Sequence, residues 1–316
     1  MIDGSIGRPE IIAVGGAKGG IGKSIFAANL GVFLSSRGMR TVLVDLDLGA
    51  ANLHLYLGET FLECNVNDFL ARRVPTINEI IVPTKYGPYL IGGDSSQLGA
   101  TNINFLRKLK LLRSIKAIDA DYVIIDLGGD TSYNIVDFFL AADHGFVLTT
   151  CDPASFLDAY NFIKVSLYRK LNRLFGPESS LNAKKDEDLE RLISEATLST
   201  NGSMVPDIGQ LIERVGEQQP WNLPLISQTL KTFNPNLIVN MVAEDSDATK
   251  VINRIQDVSR TKLSIQVGYL ANIPYQAEIK RSAKDLVPVV VRYPKGILSE
   301  VMEHVIDEIG HQATAG

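Results

Sequence analysis

The chain has 316 residues, 45% hydrophobic and 21% charged, with a net charge of −5. That length allows one large α/β domain or two small ones, and the acidic balance speaks against a tight, sequence-independent DNA binder, which needs a basic face. Two distant cysteines (Cys64, Cys151), no apolar run long enough to cross a bilayer and no charged leader before an apolar stretch lead us to expect a cytosolic protein.

The first apolar run, Ile11 to Val14, reads as a buried parallel strand. It leads into Gly15-Gly16-Ala17-Lys18-Gly19-Gly20-Ile21-Gly22-Lys23-Ser24, a phosphate loop with a second lysine, Lys18. Such a loop offers backbone N–H groups to phosphate oxygens, a lysine (Lys23) to the β/γ-phosphates and a hydroxyl (Ser24) to Mg²⁺. Helical periodicity follows over 25–34, with Gly38 as the stop. Strand, loop and helix N-terminus together suit a polyphosphate.

Further strands are expected at 41–45, 89–92, 122–127, 145–150, 237–241, 265–273 and 289–291, with helical patterns between most of them. This alternation predicts an α/β fold: a mostly parallel central sheet with helices on both faces, ligands at the carboxyl ends of its strands. Residues 1–316 are expected to form one domain. Residues 177–233 break the rhythm as a polar, acidic stretch with helical patches at 187–196 and 208–215, read as a helical insertion or as a crossover with extra helices.

Asp45 and Asp126 each close an apolar strand, where a carboxylate can reach a Mg²⁺ held by Ser24 and the phosphates. We assign Asp126 to the metal shell, Asp45 to a supporting metal contact, and Asp47 to orienting the attacking water. Gly128 offers a free N–H and no side chain to a γ-phosphate. The basic sets Arg107, Lys108, Lys110, Arg113, Lys116 and Lys164, Arg169, Lys170, Arg173 read as solvated helix faces, with a DNA surface as the alternative. The apolar arc Ile297, Leu298, Val301, Met302, Val305, Ile306, Ile309 predicts a last helix packed on the sheet, its acidic face unsuited to anionic lipid.

The loop with Lys18, the stretch Val44 to Leu53 around Asp45 and Asp47, Ile125 to Gly129, and Ala271 to Tyr275 resemble the MinD/ParA group of P-loop ATPases with a deviant Walker A loop. The second match is of the variant typical of the flagellar-number regulators called FlhG, FleN or YlxH. The resemblance covers about 1–176 and 234–310. It implies Mg-ATP binding, slow, partner-stimulated ATP hydrolysis, and an ATP-dependent homodimer in which Lys18 reaches the partner's phosphates. It implies a nucleotide-binding set of Gly16, Ala17, Lys18, Gly19, Gly20, Ile21, Gly22, Lys23, Ser24 and Gly128, with Asn240 reading the base and Pro274 and Tyr275 walling it. It further implies partner proteins that read the nucleotide state and a cytoplasmic, polar role. About ten residues precede the first strand, and the glutamine-containing segment by which such regulators stimulate a GTPase is not expected to act here. A DNA-partitioning ATPase and a non-catalytic scaffold stabilised by nucleotide stay open as alternatives.

Overall fold

Successive residues of the first strand point to opposite faces, and both faces are apolar. In β1 (Glu10–Gly15), Ile11 and Ala13 join one buried cluster while Ile12 and Val14 join another. A strand covered on both sides must be apolar at every position, and its period of two divides it between two layers. A computed structural model describes residues 8–47, 49–93, 103–175, 191, 193 and 208–314.

After β1 the chain runs through α1 (Lys23–Ser36), β2 (Thr41–Leu46), α2 (Leu53–Tyr56), α3 (Val66–Leu70), β3 (Val82–Pro83) and β4 (Tyr89–Ile91). It continues through α4 (Phe105–Lys116), β5 (Tyr122–Leu127), α5 (Tyr133–Ala141), β6 (His144–Thr150) and α6 (Pro153–Phe175). Then come α7 (Ile208–Gln218), α8 (Leu223–Lys231), β7 (Asn236–Val242), α9 (Asp245–Leu263), β8 (Gly268–Pro274), α10 (Ala277–Lys284), α11 (Val289–Arg292) and α12 (Ile297–Thr314). The sheet order is β3-β4-β2-β5-β1-β6-β7-β8, parallel throughout except for the antiparallel pair β3–β4. One layer is built on α3 to α9, the other on α1, α2, α11 and α12. The expected α/β architecture is the one observed.

β1 lies between β5 and β6, so the winding of the sheet reverses beside it. Ligand clefts of open parallel sheets form at such reversals, outside the carboxyl ends of the strands. The register sets Asp45 of β2 directly beside Asp126 of β5, and Val14 of β1 beside Asp126. Three strand ends thus converge on the loop that leads into α1.

The structure corrects three expectations and adds one element. Residues 289–291 form the start of α11 and not a strand: Pro288 caps it, and Val289 and Val290 are buried with Leu298 and Met302. The Val290 N–H donates to Asn29 Oδ1 of α1 at 3.1 Å, so tertiary contacts override the β preference of three valines. The two-residue β3 escaped sequence reading because so short an edge strand has no periodicity to detect. Ile265 and Val267 are buried ahead of β8, which begins only at Gly268. Lastly, Lys108 and Arg169 are not solvated. Both are buried and hold Asp137: Arg169 donates through Nε at 2.8 Å and Nη2 at 2.9 Å, and the Lys108 ammonium bonds Asp137 Oδ2. Burial opposes ionisation of Asp137, but the bonds from Arg169 and Lys108 outweigh it and hold the carboxyl below its usual range.

The patch at 208–215 is helical as expected, within α7, whose Leu211 and Val215 are buried in the same cluster as α6. The rest of 177–207, apart from residues 191 and 193, lies outside the described residues, as does Leu48. α12 packs as expected, with Leu298, Met302, Val305 and Ile309 buried. No helix among the described residues is long and apolar enough to cross a membrane.

Candidate nucleotide site

Close contacts exclude a Cβ at two places in the loop between β1 and α1. Gly22 caps α1 with φ +94°, and a Cβ there would lie 2.3 Å from Asn240 Nδ2. Gly16 has φ +147°, with the Leu148 carbonyl oxygen 2.7 Å from where its Cβ would be. By contrast, Gly19 and Gly20 have nothing within 4 Å of a built Cβ and form the open rim. No side chain caps α1, so its first N–H groups remain available to an anion, with the positive end of the helix dipole behind them.

Lys23, the first residue of α1, is 6% exposed, and its ammonium donates to the Lys18 carbonyl at 2.9 Å. Burial lowers its pKa, opposed by the carboxylates of Asp126, Asp47 and Asp130. This buried cation therefore faces three acids.

Asp45 and Asp126 lie side by side, both essentially inaccessible. Asp45 Oδ1 accepts from the Asp47 N–H and Oδ2 from the Leu53 N–H, each at 3.1 Å. Burial lifts its pKa to about 7, with Asp47 adding repulsion against those backbone bonds. Asp126 has no such support: neither carboxylate oxygen has a hydrogen-bond partner of good geometry. Burial and then Asp45 push it well above the carboxylate range, with the nearby Ser24 hydroxyl and Lys23 ammonium pulling the other way. A buried pair of like charges with orphaned oxygens is costly alone and suits a divalent cation. Aspartate oxygens beside a serine hydroxyl form the hard donor set that Mg²⁺ prefers. On this chemistry Ser24 and Asp126 fit the metal, while Asp45 braces the turn beneath it.

Asp47 faces the next loop. A Cβ built on Gly128 would meet Asp47 Oδ1 at 3.3 Å. On Gly129 it would meet the Gly19 nitrogen at 2.9 Å and the Lys18 carbonyl carbon at 3.0 Å. Gly129, to which sequence reading gave no role, is thus the residue pressed against the phosphate loop. Lys18 Nζ bonds Asp152 Oδ2 at 2.6 Å, an exposed pair at the start of α6. Asp152 was also missed. Its signal was an Asp-Pro step just after a strand, on the same edge as the loop.

Beside Gly22 lies an apolar cavity of about 340 Å³, lined by Phe26, Asn240, Met241, Pro274, Tyr275 and Ile279 among others. The three residues expected around a base are therefore together. Asn240, however, is already engaged: Nδ2 donates to the Ile21 carbonyl at 2.8 Å, and Oδ1 accepts from the Met241 N–H at 2.8 Å. It buttresses the loop and the strained Met241 (φ +56°) while lining the cavity.

Residues 12–289 match the sequence profile of the family described as the CobQ/CobB/MinD/ParA nucleotide binding domain. The chain belongs to this family. Among its relatives is the flagellum site-determining protein YlxH of Helicobacter pylori, 30% identical over 176 residues, which are 52% of this chain and 56% of that protein. Another is the antiactivator FleN of Pseudomonas aeruginosa, 27% identical over 164 residues, 51% of this chain and 58% of that one. The chain thus spans a little over half the length of these relatives. Its fold matches MinD of Pyrococcus horikoshii, solved in complex with Mg-ADP, with a TM-score of 0.62 and 19% identity over 96% of this chain and 97% of that one.

Proposed function

We propose that this chain is a Mg-ATP-dependent switch of the MinD/ParA type, one unit over residues 1–316. It hydrolyses ATP slowly, forms an ATP-dependent homodimer and acts through partner proteins on the number or position of a cellular structure. One observation carries the reading: Asp126, buried with both oxygens unpartnered, between Lys23, Ser24 and Asp45 at the mouth of a glycine loop. The similarity to YlxH and FleN supports a flagellar or polar role over DNA partitioning.

Each residue's part follows from its surroundings. The loop N–H groups and Lys23 bind the phosphates, and Ser24 and Asp126 would hold Mg²⁺. The ion would neutralise charge on the β- and γ-phosphates. The apolar cavity bordered by Asn240, Pro274 and Tyr275 takes the base. Asp47, half-buried above Gly128, orients the water. Gly129 touches the phosphate loop, so movement around a γ-phosphate passes directly to the loop carrying Asp130. Lys18 must leave Asp152 to reach a second subunit. Both groups are open to water, which screens the pair, so that release costs little.

Turnover by Asp47→Ala tests catalysis. Malachite-green phosphate release should fall by about 100-fold or more, while binding of a fluorescent ATP analogue persists. Unchanged turnover would show that Asp47 does not orient the water, and a parent that releases no phosphate would favour the scaffold alternative.

A further inference from the structure

α4 and α6 form the walls, and Asp137 and Leu140 of α5 the floor, of a second groove of about 460 Å³ that shares no residue with the nucleotide site. That volume is typical of ligand-sized clefts, roughly 300–1,000 Å³. Its sides are apolar: Leu109, Leu112 and Leu174 are half-buried, Phe105 is 44% exposed at the lip, and neighbouring Leu106 is 75% exposed. Its rim is basic. Arg113 and Arg173, both exposed, and half-buried Lys170 line it, and neither α4 nor residues 164–175 holds an acidic residue, in a chain whose net charge is −5.

The two buried cations, Lys108 and Arg169, are committed to Asp137 and fix the floor. Arg113 and Arg173 are exposed at the rim, with Arg173 3.9 Å from the already satisfied Asp137. Among the described residues the groove therefore offers leucine-lined sides and a positive edge whose one acidic neighbour, Asp137, is shared with two buried cations. A nucleic-acid backbone would use the edge and leave the apolar sides uncovered. A helix with aliphatic side chains on one face and carboxylates flanking them uses both.

We propose that this groove docks an acidic amphipathic helix of a partner protein, aliphatic side chains against the leucine-lined sides and carboxylates against Arg113 and Arg173. The docking uses no nucleotide-site residue, so it can stand or fall apart from the ATPase reading.

The probe is a fluorescein-labelled helical peptide of about 16 residues, leucine on one face and glutamate on the other, followed by anisotropy with the full chain and no nucleotide. Saturable binding is expected. It should weaken about tenfold or more in R113E/R173E, in L112S, and for the same peptide with glutamine in place of glutamate. Urea unfolding midpoints and far-UV circular dichroism of both variants should match those of the parent, which shows that they fold. No saturation below ~1 mM, or equal affinity of the glutamine peptide or of R113E/R173E, overturns the proposal. So does tighter binding of duplex DNA that R113E/R173E abolishes, because the edge then serves phosphates.

Discussion

Lys18 and Lys23 sit five residues apart and face different tasks. Lys23 is buried among acids, so Lys23→Ala should weaken ATP binding by about 10- to 100-fold, the worth of a charge-assisted hydrogen bond. Lys18 is held only by exposed Asp152, so Lys18→Ala should bind ATP normally yet fail to dimerise with it. Light scattering on the Asp47→Ala background, with and without ATP, separates the two. Asp126 gives an opposite pairing of effects. With no bonds to lose, Asp126→Asn should raise ligand-free stability by roughly 1 kcal/mol in urea melts at pH 8 while weakening Mg²⁺-dependent nucleotide binding. The sign with pH follows from the raised carboxyls. A group whose pKa is higher folded than unfolded binds an extra proton in the folded state, so its contribution is present below about pH 4 and lost as pH rises through about 7 for Asp45. The pair should therefore favour the ligand-free protein at pH 5.5 over pH 8, against His54, which burial holds below its usual pKa and which favours the higher pH, and Asp126→Asn should lower the melting temperature at pH 5.5 relative to that at pH 8. A difference between pH 5.5 and pH 8 left unchanged by Asp126→Asn would show that the pair is not protonated without ligand.

At the scale of elements, local pattern was a good guide where the element depends on local pattern. The central strands are apolar at every position because both faces are covered, and the phosphate loop is contiguous, so both stand out in the sequence. α11 does not: three valines lie in a helix because the N–H of Val290 finds Asn29, some 260 residues earlier in the chain. Burial of Lys108 and Arg169 was equally illegible, since it depends on one carboxylate from a different helix. That network has a cost when broken. Asp137→Ala removes the buried carboxylate that Lys108 and Arg169 share and should destabilise the chain by about 3–5 kcal/mol in urea unfolding, with the nucleotide affinity of the remaining folded protein unchanged.

For the whole molecule, the placement of Asp45 beside Asp126 follows from strand order, which the sequence does not state, although it does place an aspartate at the end of each strand. Asp152 and Gly129 came to the site the same way, through topology and not spacing. On the proposed function, the loop at 15–24, Lys23 and the orphaned Asp126 grip a triphosphate together with its metal. Calorimetric titration of ATP into the purified chain, with Mg²⁺ and again with EDTA, tests that grip. The isotherm should be saturable near one nucleotide per chain and weaken about tenfold or more without Mg²⁺. Absence of binding heat across temperatures, or an isotherm indifferent to both Mg²⁺ and Lys23→Ala, would contradict it.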